Sequence, residues 1–209
     1  MKYFVALSAL AVPMFAATPA WAQSMLVTFE TPTSFASINT HYAGGTDSAG
    51  VAGMNLGVSF GGDVLAVRND FPSEPNFSNA PSAVGVMAPV GPDAFMNVAI
   101  GFTDLSFFYS SSAVVADGVK VWSGLGGTGT VLASLSLANN AQFLCSNAPY
   151  CRFDNVSTTF SGVGRSVSFD GAVGVAGFDN VSFTPVPEPT TLVLMALGLA
   201  GVAGVARRR

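Results

Sequence analysis

The chain is poor in the residues most catalysis depends on. It has one histidine and two cysteines, and charged side chains make up only 10% of its 209 residues. Each scarcity weighs against a class of function. A hydrolase triad needs a nucleophile, a base and an orienting acid. His41 stands beside Tyr42 with no recognisable partner, and no G-x-S-x-G occurs, so it reads as a surface or turn histidine. A zinc site usually takes four ligands, more than Cys145, Cys151 and His41 supply together. Basic residues are scarce, and four of the eight (Lys2, Arg207, Arg208 and Arg209) sit at the extreme ends. Between those ends Arg68, Lys120, Arg152 and Arg165 face eleven acids, a net −7. Nucleic-acid binding is dominated by Lys/Arg contacts to phosphate, so nucleic acid is excluded as a partner and cations fit better.

Helical periodicity is also missing from the middle of the chain. Gly and Pro punctuate it, and short runs of period-two alternation lie between them. Leu105, Phe107 and Tyr109 alternate with Ser106, Phe108 and Ser110, and Val119 and Val121 with Lys120 and Trp122. Similar runs occur in LVTFE, LGVSFGGDVLAV, TVLASLSL, RSVSF and DNVSF. About eight to ten such strands predict an all-β antiparallel two-sheet sandwich, jelly-roll-like, because a single sheet cannot cover both its faces. Two stretches break the alternation. Residues 69–82 hold three prolines and read as an irregular loop, and the glycine-rich residues 40–50 read as a mobile one.

The two ends have a different chemistry. Lys2 is followed by an apolar run, Tyr3 to Ala17, and Ala20-Trp21-Ala22 supplies the small residues of a cleavage box. That pattern predicts a signal peptide over residues 1–22, cut by signal peptidase before Gln23. The ectodomain is then residues 23–185, a single-domain length. In an exported protein the even pair Cys145 and Cys151, five residues apart around Pro149, reads as a disulfide pinning a loop. At the other end Thr190 to Ala206 carries no charge. As a helix it spans about 25 Å, the lower limit for a transmembrane segment, and the arginines behind it would stay cytoplasmic.

Pro187-Glu188-Pro189, the apolar segment and Arg207, Arg208 and Arg209 follow one another over residues 186–209. Together they resemble the PEP-CTERM sorting signal, a tail also called an ice-binding protein C-terminal domain. The resemblance implies processing by exosortase, a transient inner-membrane anchor, and delivery to the surface or exterior of a Gram-negative bacterium that makes exopolysaccharide. A matrix or biofilm role follows from it. Ice binding itself wants regularly spaced threonines, and no sustained spacing occurs.

VTFE at the start and GFDNVSF at the end resemble the paired edges of secreted jelly-roll modules, carbohydrate-binding ones among them. The resemblance implies a structural calcium held by Glu30, Asp179 and Asn180. Otherwise Asp179 and Asn180 would simply end a turn before the last strand. Sugar rings stack on exposed aromatic faces. Trp122, before a flexible glycine turn, is the first candidate for a glycan contact, with Tyr109 and then Tyr42 and Tyr150 as companions. The reading as a whole is an exported, non-catalytic surface or matrix protein. A carbohydrate-binding module is the alternative, and a secreted hydrolase the second.

Overall fold

A computed structural model describes residues 23–69 and 75–186, together with Gly198. The predicted signal peptide and, Gly198 apart, the apolar C-terminal segment lie outside the described residues. Among the described residues no helix is long and apolar enough to cross a membrane.

Nine strands are formed: β1 (Met25–Val27), β2 (Val58–Phe60), β3 (Val64–Arg68), β4 (Gly85–Pro89), β5 (Phe95–Ser111), β6 (Val115–Trp122), β7 (Val131–Leu137), β8 (Asp154–Ser168) and β9 (Ala176–Phe183). Every pairing between them is antiparallel. The hydrogen-bonded network is continuous because the two longest strands run from one layer into the other. The first half of β5 pairs with β2 and the second half of β8, which pairs in turn with β6, and β6 with β7. The second half of β5 lies between the first half of β8 and β9, with β1 and β4 on the far side of β9 and β3 beyond β4.

Both long strands change layer at a β-bulge. The β5–β8 register shifts between Asn97 and Phe102 and again before Asp104, where Gly101 takes φ +83°. Glycine reaches that region without steric cost. The break also changes the alternation: Met96, Val98 and Phe102 are buried before it, and Leu105, Phe107 and Tyr109 after it. RSVSF, read from sequence as a separate strand, is therefore the far half of β8.

The predicted faces hold. Val119 and Val121 are buried, while Lys120 and Trp122 are only partly so. Phenylalanines fill the space between the layers edge-to-face. Phe169 lies 6.3 Å from Phe107 and 4.9 Å from Phe178, and Phe102 lies 5.8 Å from Phe183. Residues 40–50, expected to be mobile, are instead tied down. The Asp47 carboxylate accepts N–H bonds from Thr33 (2.8 Å), Ala49 (3.0 Å) and Val51 (2.9 Å). Burial opposes the charge on Asp47, but those donors outweigh it and hold its carboxyl below the usual range.

His41 is another correction: it is fully buried. Its Nδ1–H donates to the Val51 carbonyl (3.0 Å), and its Nε2 accepts from the Thr31 hydroxyl (2.8 Å). A carbonyl can only accept, which decides the tautomer. Both ring nitrogens are spent on holding the loop.

Candidate functional site: an aromatic groove and an acid pair

Strand alternation that sends Met87 and Phe178 into the core turns Val86, Ala88 and Gly177 to the outside of the β3–β4–β9 layer. With Val67 they floor a groove of about 240 Å³. Its walls are Phe35, Asn76 and Phe77, and the segment Pro149, Tyr150 and Phe153. Cys145 and Cys151 form the expected disulfide, which closes the loop carrying Pro149 and Tyr150. The two walls are joined: Phe77 bridges Tyr150, Ser78 N–H donates to the Tyr150 carbonyl (2.8 Å), and Asn79 Nδ2 donates to the Cys151 carbonyl (2.9 Å). Phe77 meets Phe153 edge-on at 6.3 Å.

Phe35 is the unusual member. It is 64% exposed and sits at φ +60°, a region bulky side chains avoid. Its N–H, held by the Ala66 carbonyl at 2.7 Å, keeps it there. A strained, exposed aromatic ring at the rim of a groove is a pointer to function. Among the described residues no carboxylate, ammonium or guanidinium lines the groove, and the lining they form suits a neutral ligand with a flat apolar face.

The residues chosen from sequence for a glycan contact are scattered. Tyr109 and Tyr42 are buried, at 6% and 4% exposure, and offer no ring face to a ligand. The Tyr109 hydroxyl accepts from Ala138 N–H (3.1 Å). The Tyr42 hydroxyl donates to the Thr28 carbonyl, and burial raises its ionisation far above the ordinary range. Trp122 is half-buried on β6, away from the groove, with its indole N–H on Ser168 Oγ (3.1 Å). Of the four, Tyr150 alone lines the groove. Phe35, Phe77 and Phe153 were missed. Their only signal was a phenylalanine set among turn residues, in TSFAS, PNFSN and CRFDN, where no alternation buries it.

The acids Glu30 and Asp179 are brought together, close enough for the Glu30 charge to act on Asp179. Both clamp the chain entering β4. Glu30 accepts from Val84 N–H (3.1 Å) and Gly85 N–H (2.9 Å). Asp179 accepts from Ser82 N–H (2.8 Å), Ser82 Oγ–H (2.8 Å) and Asn180 N–H (2.7 Å). Gly85 has to be glycine, since a Cβ there would stand 1.8 Å from the Phe29 carbonyl oxygen. Arg68 Nη1 donates to the Glu30 carbonyl on the same side.

Asp179 and Asn180 do not end a turn before the last strand; both lie inside β9. The β5–β9 register shifts between Ser106 and Phe108, which places a bulge at this point, and Asn180 takes φ +48°. Burial raises the Asp179 carboxyl above its usual range, overcoming the hydrogen bonds that lower it, and Glu30 adds to the rise. Asn180 Oδ1 is buried without a partner. The described residues contain no group of three or more His, Cys, Asp or Glu side chains that would hold a metal. The Glu30 and Asp179 carboxylates and the Asn180 amide oxygen are hard oxygens of the kind calcium takes.

Pro185 bridges Phe102, and Val186 N–H donates to the Gly101 carbonyl (3.0 Å). Residues 185–209 match the PEP-CTERM protein-sorting motif. The PEP-CTERM motif implies processing by exosortase and an exported, envelope-sorted protein. Its residues Pro187, Glu188, Pro189, Arg207, Arg208 and Arg209 lie outside the described residues, as do Ala20 and Ala22 of the predicted cleavage box.

No curated protein matches the chain significantly. Among solved structures, a cleaved adhesin domain of Lys-gingipain is similar at 13% identity and a TM-score of 0.42, covering 78% of this chain and 99% of its own. A family 6 carbohydrate-binding module from Clostridium stercorarium, solved with cellobiose, shares 16% identity at a TM-score of 0.35, over 58% of this chain and 93% of its own. A family 29 carbohydrate-binding module shares 8% at a TM-score of 0.39, over 80% and 99%. Likenesses this distant carry no argument about ligand or activity.

Proposed function

We propose that this is a non-catalytic protein of the cell surface or extracellular matrix of a Gram-negative bacterium, and that its groove holds a stretch of neutral exopolysaccharide. The observation that carries the reading is the uncharged aromatic groove, with strained Phe35 on one rim and disulfide-pinned Tyr150 on the other, on a body carrying a PEP-CTERM motif. Ring faces at Phe35, Tyr150 and Phe153 would stack on the C–H faces of sugars, with Asn76 and the Tyr150 hydroxyl as the polar groups that orient them. The test is binding of the exported protein to the host's own exopolysaccharide. Tyr150→Ala should weaken binding at least tenfold and Trp122→Ala should leave it unchanged. Equal binding by Tyr150→Ala and the parent would reject the groove.

A structural calcium belongs to the same proposal. Glu30, Asp179 and Asn180 Oδ1 would be its protein ligands, and the ion would offset the charge that Glu30 exerts on Asp179. Chelator should then lower the melting temperature at neutral pH. The shift should shrink as pH falls and Asp179 takes up a proton, because a carboxyl held above its usual range favours the protonated folded state. A melting temperature indifferent to chelator and to added calcium would sink this part.

A further inference from the structure

Beyond β9 the chain stays on the sheet for three more residues. Thr103 N–H donates to the Thr184 carbonyl (3.1 Å), Pro185 bridges Phe102, and Val186 N–H donates to the Gly101 carbonyl (3.0 Å). Val186 is thus fixed at the bulge where β5 changes layer. The same bulge gathers exposed apolar side chains from two other stretches. Ile100 is 51% exposed and Val163 39%. Val163 lies against Gly101, since a Cβ on that glycine would stand 2.3 Å from Val163 Cγ1. Ala99 beside them is exposed as well, and Val186 is partly so.

One cation borders this patch. Arg165 is exposed two residues after Val163, and its Nη1 donates to the Ala99 carbonyl (2.9 Å). It is one of four basic residues between the two ends of the chain, so its place here is notable in a body with eleven acids. Asp104 is the single acid of β5, and its carboxylate accepts the Thr184 N–H (3.2 Å); Asn155 to Phe169 holds no acid. Apolar side chains beside an exposed guanidinium are the chemistry of a membrane interface, where stems leave water and the charged head stays at the lipid phosphates.

We propose that this patch rests on a phospholipid bilayer while the C-terminal segment is still attached, with Ile100 and Val163 entering the headgroup layer and Arg165 meeting lipid phosphate. The inference rests on reading residues 190–206 as a membrane segment and is independent of the glycan reading. The length of the tether selects the occupant. Only Pro187, Glu188 and Pro189 separate Val186 from the uncharged run that begins at Thr190. Four Cα steps reach at most about 14 Å, whatever their conformation. The polar layer on one side of a bilayer is roughly 5 to 8 Å thick. That leaves less than about 10 Å between Val186 and the headgroup surface, so the side chains around Val186 are the first part of the body to touch it.

Charge permits the contact. A zwitterionic bilayer has no net charge to repel a body of net −7, and the patch turns a cation towards it. The groove is elsewhere. Gly177 in its floor pairs with Ser110, nine residues along β5 from Gly101, which is about 30 Å of strand. A body seated on Ile100 and Val163 therefore holds its groove away from the membrane.

The test uses the chain from Gln23 to Arg209 carrying Trp122→Phe, reconstituted in phosphatidylcholine vesicles, with a single tryptophan introduced at one site at a time. Flotation reports whether the chain is held by the vesicles, and quenching by brominated phosphatidylcholine reports which face meets the lipid. Ile100→Trp and Val163→Trp should each lose at least half of their emission. Val114 is 77% exposed just past the far end of β5, and Val114→Trp should lose none. Chain that floats while both bulge tryptophans stay unquenched would overturn the inference and leave the membrane segment standing. Chain that does not float would overturn both. Equal quenching at all three sites would also overturn it, because the body would then have no preferred face.

Discussion

Two sets of aromatic rings in this protein do different work. Phe107, Phe169 and Phe178 lie between the layers, fully buried and edge-to-face. Phe35, Tyr150 and Phe153 stand on the outside of one layer and leave space between them. The first set comes from strands or their immediate ends, where alternation buries every second side chain. The second comes from irregular chain, positioned by backbone hydrogen bonds and a disulfide. Core rings stabilise the fold by packing. Groove rings are held by the fold and leave their faces open, so removing one should cost little stability.

The largest effect that would break this contrast is in the core. Phe107→Ala should destabilise by about 4 kcal/mol, the usual cost of emptying a buried aromatic site, measured as a loss of melting temperature or denaturant midpoint. A cost near that of a groove substitution would erase the distinction. Next comes the loop acid that supports the Phe35 side. Asp47→Ala strands the N–H groups of Thr33, Ala49 and Val51, at about 2 to 3 kcal/mol. The same acid makes stability pH-dependent. Its carboxyl titrates below the usual range, so its contribution is complete above the unfolded value of about 3.9 and is lost as pH falls through the lower folded value. Asp47→Asn should flatten the acid limb of stability against pH in that window.

Replacing Cys145 and Cys151 by serine should cost about 2 kcal/mol, as expected for so short a loop, and should reduce polysaccharide binding more than stability. Binding unaffected by the double variant would separate the disulfide from the groove. The smallest effect is expected at Phe35. Phe35→Gly relieves a left-handed backbone cost of about 1 kcal/mol while adding unfolded-chain freedom, so its melting temperature should barely move as its binding falls.

The parts that were legible in the sequence share one property: each is written in consecutive residues. That β5 and β6 each have two faces followed from alternation, and the disulfide from an even cysteine pair in a chain read as exported. The bulges were not legible. A strand that continues through Gly101 or Gly164 into the other layer looks, residue by residue, like two strands. The turn offered as the other reading of Asp179 and Asn180 is not formed; inside β9 the tolerance of Asn for positive φ serves a bulge. Tyr109 was read as a surface ring because period-two alternation shows that two faces exist without showing which one is buried.

By itself, then, the sequence determined the strand periodicity and the sorting motif. It also named Glu30 and Asp179 as neighbours, through short motifs at the two ends of the body. Only the tertiary structure decided where the groove lies and which rings line it. Phe35, Phe77, Val86, Tyr150 and Gly177 meet there from five separate segments. Contacts at such separations depend on how the layers stack and where the strands bend, and no local pattern in the chain carries that information.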